Sequence, residues 1–247
     1  MRGLTKTGGG TSAGRSAETA GPPPVHAGPP PVHAVARALV RPVWRALPRW
    51  ALITGAVVGL LPAALSRTAD GTPETWLCLN LLRASALAFA VGLAFVLDDP
   101  ARHTTATVPV RRPVRTGLRL ALVVPLAAAC WTAALFLIPA KSRPPEGAVT
   151  LEAAAVMVLA LASALAAVRY SESGEPGIAI SAGLVGAFLA AALLLPTRWE
   201  MFVGPSDPDW DDTHRRWAGV LVTAVLAGAL LLAEPLRRRR TAFLAQR

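Results

Sequence analysis

The sequence predicts an all-α, polytopic membrane protein with six transmembrane helices and both chain ends on the cytoplasmic side. Three observations predict it. Apolar residues make up 53% of the chain against 16% charged, giving a mean hydropathy of +0.45. The apolar residues gather into runs of about 20, the length a helix needs to cross a hydrocarbon core roughly 30 Å thick. Lys and Arg fall almost entirely between those runs. A bundle of soluble helices would instead carry polar stripes along each element.

A net charge of +10 is also what a nucleic-acid-binding domain would show. Here the basic residues do not form one face of a folded unit, and basic cytoplasmic connectors reach the same total by another route, so no nucleic-acid partner is expected. Both cysteines, Cys78 and Cys130, sit inside apolar runs, where a thiol behaves as a small hydrophobe. The first strongly apolar run starts only near Trp50, behind a polar leader, and does not read as a secretory signal.

In chain order, residues 1–34 are rich in Gly, Pro, Ser and Thr and are expected to stay disordered on the cytoplasmic side. They hold a perfect tandem repeat, GPPPVHA at 21–27 and again at 28–34, read as a duplicated linker. Residues 35–49 place Arg37, Arg41, Arg45 and Arg49 at four-residue spacing among apolar side chains. That spacing suits either a basic amphipathic helix on an anionic membrane surface or a basic stop before the first span, with Pro42 and Pro48 as bends. The spans are read at 50–66, 76–97, 118–140, 149–168, 177–196 and 217–236, followed by a basic tail at 237–247. Trp50, Trp76, Trp199 and Trp217 fall near span ends, where amphipathic rings settle among headgroups. With the amino terminus inside, 18 Lys and Arg lie in cytoplasmic segments and six in outer ones. Basic residues are retained on the cytoplasmic face, which selects this orientation and places the chain in the cell membrane.

An ionisable group inside a span costs at least about 2.5–3.5 kcal/mol unless it is paired or hydrated. Arg83 and Glu152 lie at similar depths in the outer halves of spans two and four, so an ion pair between them would offset both costs. Separate snorkelling to the interface is the alternative. The inner connector between spans two and three, with Asp98, Asp99, Arg102, Arg111, Arg112 and Arg115, reads as a topology-fixing loop or a docking surface for a cytosolic partner. A short helix is expected after Pro100, ended by Pro109 and Pro113. The outer connector, TRWEMFVGPSDPDWDDTHRR, is both aromatic and acidic. Trp199, Met201, Phe202 and Trp210 are expected to mark an element at the outer interface, with the aspartates in water. Asp207, Asp209, Asp211 and Asp212 have an oxygen-rich spacing, but the glycine and distal glutamate of a calcium loop are missing, so no metal is assigned. The chain has no GxxxxGKS or GxxxxGKT loop, no HExxH and no GxSxG, so neither a catalytic role nor a cofactor is expected.

The six-span layout, the Ala- and Arg-rich composition and the segments LDDPARHTTATVPVRRPVRTGLRLAL and DWDDTHRRWAG resemble actinobacterial permease subunits of ABC transporters, over residues 44–236. The resemblance implies a type-2 exporter permease, one half of a homodimer energised by a separate ATPase. It implies an amphipathic helix before span one, a coupling helix between spans two and three and a membrane-dipping element between spans five and six. Residues 35–50, 98–117 and 197–216 stand at those places. The competing expectation is a non-transporting scaffold or accessory protein of the cell envelope.

Overall fold

The computed structural model describes residues 44–45, 47–68, 71–98, 112–170 and 175–233. The leader, most of the 35–49 segment and the basic tail lie outside the described residues. Among the described residues the regular structure is entirely helical, with six long helices: α1 (Arg49–Leu65), α2 (Thr75–Ala94), α3 (Arg112–Leu137), α4 (Glu146–Tyr170), α5 (Gly177–Leu194) and α6 (Trp210–Leu232). Short 3₁₀ turns follow α3 at Ala140–Ser142 and α5 at Thr197–Trp199. Five of the helices, α2 to α6, are long and apolar enough to cross a membrane, and α1 is apolar but shorter at 17 residues. They mark a multi-pass membrane protein.

Three element boundaries differ from the sequence reading. Helix α3 opens at Arg112, six residues before the expected span, because Pro113 falls in the first turn. There its missing N–H costs nothing and its fixed φ favours a helix, so it helps to start this element; the short helix expected after Pro100 lies outside the described residues. Helix α4 opens at Glu146, with that acidic residue in its first turn. Helix α6 opens at Trp210, two turns before the expected start at Trp217. Asp211 and Asp212 occupy its first turn, where negative charge is favoured, and Asp207 Oδ1 accepts the Asp209 N–H at 2.9 Å just ahead of it. Asp211 and Asp212 thus start a helix, while Asp207 and Asp209 lie in the turn just before it.

Cross-links between connectors show how the helices alternate in direction. The Arg67 guanidinium, just after α1, donates to the Phe136 and Leu137 carbonyls at the end of α3. At the opposite end Arg169, closing α4, donates to the Leu230, Leu231 and Ala233 carbonyls closing α6. Asp98, after α2, accepts from the Gly177 N–H that opens α5. Successive helices therefore run up and down.

Helices α2 and α4 form the centre, with 61% and 50% of their apolar windows buried, against 17%, 11% and 17% for α3, α5 and α6. Ala153, Val156, Ala160 and Ala164 recur at helical spacing along the buried face of α4, so neighbouring helices approach its backbone closely. Large apolar side chains point outward on the outer helices, including Leu61 on α1, Phe136 on α3, Leu193 on α5 and Leu230 on α6. So continuous an apolar exterior suits hydrocarbon and not water.

The tightest helix contact joins α1 to α2. A Cβ at Gly55 would stand 2.8 Å from Gly92 Cα, and one at Gly92 would stand 2.9 Å from Gly55 Cα. One turn along, a Cβ at Gly59 would overlap the Phe89 ring at 2.3 Å. The crossing tolerates no side chain at Gly55 or Gly92. Gly55→Leu and Gly92→Leu are each expected to destabilise the protein by about 1–3 kcal/mol or more through overpacking. Gly183→Ala, where a Cβ meets nothing within 4 Å, should leave stability nearly unchanged. Thermal unfolding of the three variants in detergent checks the ordering.

Candidate functional site

The end of the bundle formed by the starts of α2, α4 and α6 contains the one pair of opposite charges that the sequence places inside spans. Arg83 lies on the third turn of α2 and Glu152 on the second turn of α4, and both are almost fully buried, at 5% and 4% exposure. Arg83 Nε donates to Glu152 Oε2 at 2.7 Å and Nη2 donates to Oε1 at 2.9 Å. This is the bidentate geometry in which a planar guanidinium matches a carboxylate. The two side chains are paired, and neither snorkels. Asn80, a turn earlier, takes no part, because its amide donates to the Trp76 carbonyl.

Arg83 also holds the connector between α5 and α6. Nη2 donates to the Val203 carbonyl at 3.1 Å, and the guanidinium carbon lies 5.4 Å from the centroid of the Phe202 ring. Three further side chains from α6 satisfy carbonyls of the same stretch. Thr213 Oγ1 and Arg216 Nη1 donate to Glu200, and Trp217 Nε1 donates to Met201. Irregular backbone survives next to hydrocarbon only if its polar groups are satisfied within the protein. Residues 200–203 meet that condition through side chains of α2 and α6.

The expected outer-interface element therefore divides. Trp199 is exposed, with the Arg216 guanidinium 5.7 Å from its ring centroid. Phe202 turns inward, 4.6 Å from Phe188 and 5.9 Å from Trp217 between ring centroids, and Met201 also packs on the core. Trp210 is half-buried, its ring 4.2 Å from that of His214. Phe202 is drawn in because the carbonyls on either side of it are bonded inward, leaving its ring to cover Arg83.

His214 completes the cluster. The two turns by which α6 extends ahead of Trp217 are what turn it toward Glu152, and hydropathy alone does not mark them. Its Nδ1 lies 2.7 Å from the Trp210 carbonyl and its Nε2 lies 3.2 Å from Glu152 Oε1. That second approach is short enough for an ion pair but lacks hydrogen-bond alignment, and among the described residues Nε2 and Arg83 Nη1 have no hydrogen-bond partner. A cavity of about 10 Å³, lined by Arg83, Glu152, Trp131, Phe188, Phe202 and Trp217 among others, adjoins the pair. It has room for no more than one water.

Most of the expected docking loop falls outside the described residues. Asp99, Arg102 and Arg111 fall outside the described residues, and Arg112 and Arg115 belong to α3. Asp98 caps α5, its Oδ1 accepting the Gly177 N–H at 3.0 Å. The approach is close enough that a Cβ at Gly177 would meet Asp98 Oδ2 at 2.6 Å and the Phe95 ring at 2.5 Å. Burial pushes the Asp98 carboxyl above its ordinary range; the Gly177 N–H opposes this and the negative charge of Glu175 adds to it.

Compared with known proteins, the chain matches no family model, no curated protein and no solved structure.

Two predictions follow from this geometry. Removing either member of the buried pair, by Arg83→Ala or Glu152→Ala, should cost about 3–5 kcal/mol, since the other charge is left unpaired. The double variant should cost clearly less than the sum of the singles, which thermal unfolding of all four proteins measures. For Asp98, a raised carboxyl pKa means that the folded state favours the protonated form. Its stabilising contribution is fully present below the ordinary carboxylate pKa and is lost as pH rises through the raised value. Asp98→Asn keeps an acceptor for Gly177 and cannot ionise. Its stability relative to the parent should therefore improve as pH is raised from the acid side toward neutrality, as followed by unfolding at each pH.

Proposed function

We propose that the protein crosses the cell membrane six times, with the ends of the bundle that carry α1's start and α6's close facing the cytoplasm, and that it serves as the permease subunit of an ABC-type exporter energised by a separate ATPase. The observation that carries this reading is the stretch 200–203 of the connector between α5 and α6, which turns inward and is anchored to α2 and α6 through the carbonyls of Glu200, Met201 and Val203. A membrane-dipping element between the last two spans is what the resemblance to type-2 exporter permeases implies. No comparison with known proteins adds to that resemblance, so the reading rests on the architecture.

The sixth crossing is assigned to α1. Its 17 residues span about 25 Å. Ser66, Arg67 and Thr68 continue it through backbone bonds to the carbonyls of Ala63, Ala64 and Leu65, which brings the helical stretch close to a full crossing. Aromatic side chains at both ends support the same placement. Trp50 and Tyr170 are exposed at one end of the bundle, and Trp76 and Trp199 at the other.

A second reading, a non-transporting scaffold or accessory protein of the cell envelope, is favoured by the small size of two cavities among the described residues. The cavities at the buried pair and between α1, α2 and α3 measure about 10 and 30 Å³, far too small for cargo. The exporter reading accommodates this only if cargo passes between two copies of the chain.

Orientation is tested by impermeant thiol labelling of intact cells, in a background lacking Cys78 and Cys130. Glu146→Cys and Asp209→Cys should label from outside and Glu175→Cys should not; the reverse pattern would refute the proposed topology. For the function itself, mild-detergent purification of the full chain is expected to recover a nucleotide-binding subunit and ATP hydrolysis. Recovery of the chain with neither would leave the scaffold reading in its place.

A further inference from the structure

The start of α1 presents two cations to its surroundings. Arg45 and Arg49 are both exposed, and among the described residues neither guanidinium has a hydrogen-bond or ion-pair partner. Their backbone is held in place: Leu47, between them, is buried in the bundle, and its carbonyl accepts the Arg49 N–H at 2.8 Å. Trp44 and Trp50 are exposed beside them, as amphipathic rings are at a headgroup layer. Helices α1 and α3 run in the same direction, since Arg67 joins their far ends, so the buried Arg119 of α3 adds positive charge at this end. The described carboxylates here, Asp98 and Glu175, belong to the junction of α2 with α5.

Below these arginines a groove lies between α1 and α3. Its floor is α2, where Phe89 and Leu93 are buried; its walls are half-buried, with Leu52 and Ala56 on α1 and Ala127 and Cys130 on α3. The small residues leave a cavity of about 30 Å³, and no residue lining it is charged. Along α1 the lining runs from three to seven residues past Arg49, and along α3 from four to eleven past Arg119. At 1.5 Å per residue that is a depth of about 5 to about 16 Å, close to the roughly 15 Å of one hydrocarbon leaflet.

We propose that this groove binds one acyl chain of an anionic phospholipid, whose phosphate is held by Arg45 and Arg49. The two halves of the site match the two halves of such a molecule: a forked cation suits a phosphate, and an apolar groove one turn deeper suits the chain attached to it. The groove takes the side of one chain, and the second chain stays in the bilayer. A choline lipid offers the same chains but carries a cation that the arginines repel, so charge sets the preference. Helix α5 is equally apolar and more exposed, yet it begins behind Glu175 and Pro176 with no basic residue at its start. The inference rests on α1 crossing the membrane as proposed above and not on transport or an ATPase; reversing the orientation moves the site to the other leaflet and leaves its chemistry intact.

The test uses the full chain in phosphatidylcholine vesicles holding a trace of phosphatidylglycerol with a diazirine in one acyl chain, and maps the photo-adducts by peptide. They should concentrate at residues 52–56 and 123–130, and exceed those of the matching phosphatidylcholine probe there by about tenfold. Joint replacement by Arg45→Gln and Arg49→Gln should remove most of that preference. Ala127→Phe, which fills the groove, should abolish the adducts of both probes there, whereas Gly183→Phe on α5, where a Cβ meets nothing within 4 Å, should change neither. Excess unlabelled phosphatidylglycerol should compete, and glycerophosphate should not. Adducts spread over the outer helices without headgroup preference would overturn the inference. So would competition by glycerophosphate, which would make the arginines a site for a soluble anion. A groove with no adducts in the unmodified protein would do the same, its occupant then being another segment or a second copy. Should Ala127→Phe fail to fold, the arginine replacements, both at exposed positions, and the adduct map of the unmodified protein decide.

Discussion

The charge of Arg83 must be neutralised without water, and one whole end of the bundle is arranged around that requirement. A charge buried among apolar helices costs several kcal/mol unless it is neutralised and its donors are used. Glu152 supplies the opposite charge and two acceptors, Val203 supplies a third acceptor, and the Phe202 ring covers the exposed plane. Each supplier comes from a different stretch of chain, so satisfying one side chain fixes α4 and the α5–α6 connector relative to α2. The dependence runs both ways. The Val203 carbonyl lies in irregular backbone and needs a donor as much as Arg83 needs an acceptor.

The same logic governs the other helix ends at lower cost. Arg67 and Arg169 each reach across to the carbonyls that close a neighbouring helix, where the unpaired backbone groups carry partial negative charge. Asp98 does the converse at the start of α5, offering an anion to an unpaired N–H. These links hold connectors in register. Between the ends, small residues do the packing: Gly55 against Gly92 and the alanine face of α4 allow backbones to approach where lipid offers no hydrophobic drive for association. Polar side chains thus specify which ends meet, and small residues determine how closely the shafts lie.

How much of this was legible in the sequence depends on the period of the signal. The helical class and the apolar segments followed from runs of about 20 residues, a signal long enough to outweigh local composition. The depth of Arg83 and Glu152 followed from the same count, which is why their pairing was open to inference before any geometry. Helix starts were not. Pro113 and the Asp207 to Asp212 stretch look like breakers and loop formers when hydropathy is the guide, yet both are favourable in a first helical turn. That single misreading hid His214, since a residue in a loop has no fixed face and a residue one turn into α6 does. The inward turn of Phe202 was hidden for a different reason. It depends on donors from Arg83, Thr213, Arg216 and Trp217, which lie up to 120 residues away in sequence.

The buried pair also constrains any transport mechanism. A path through the middle of the bundle would have to part α2 from α4 at the point where Arg83 grips Glu152, exposing both charges to an apolar surround at a cost of about 3–5 kcal/mol or more. A path along the outside of the bundle, between two copies, leaves the pair untouched and uses the faces of α1, α3, α5 and α6 that are now bare. Under the exporter reading, then, α2 and α4 act as a rigid spine. Motion would fall to the peripheral helices and to the connector whose hold on that spine runs through Arg83.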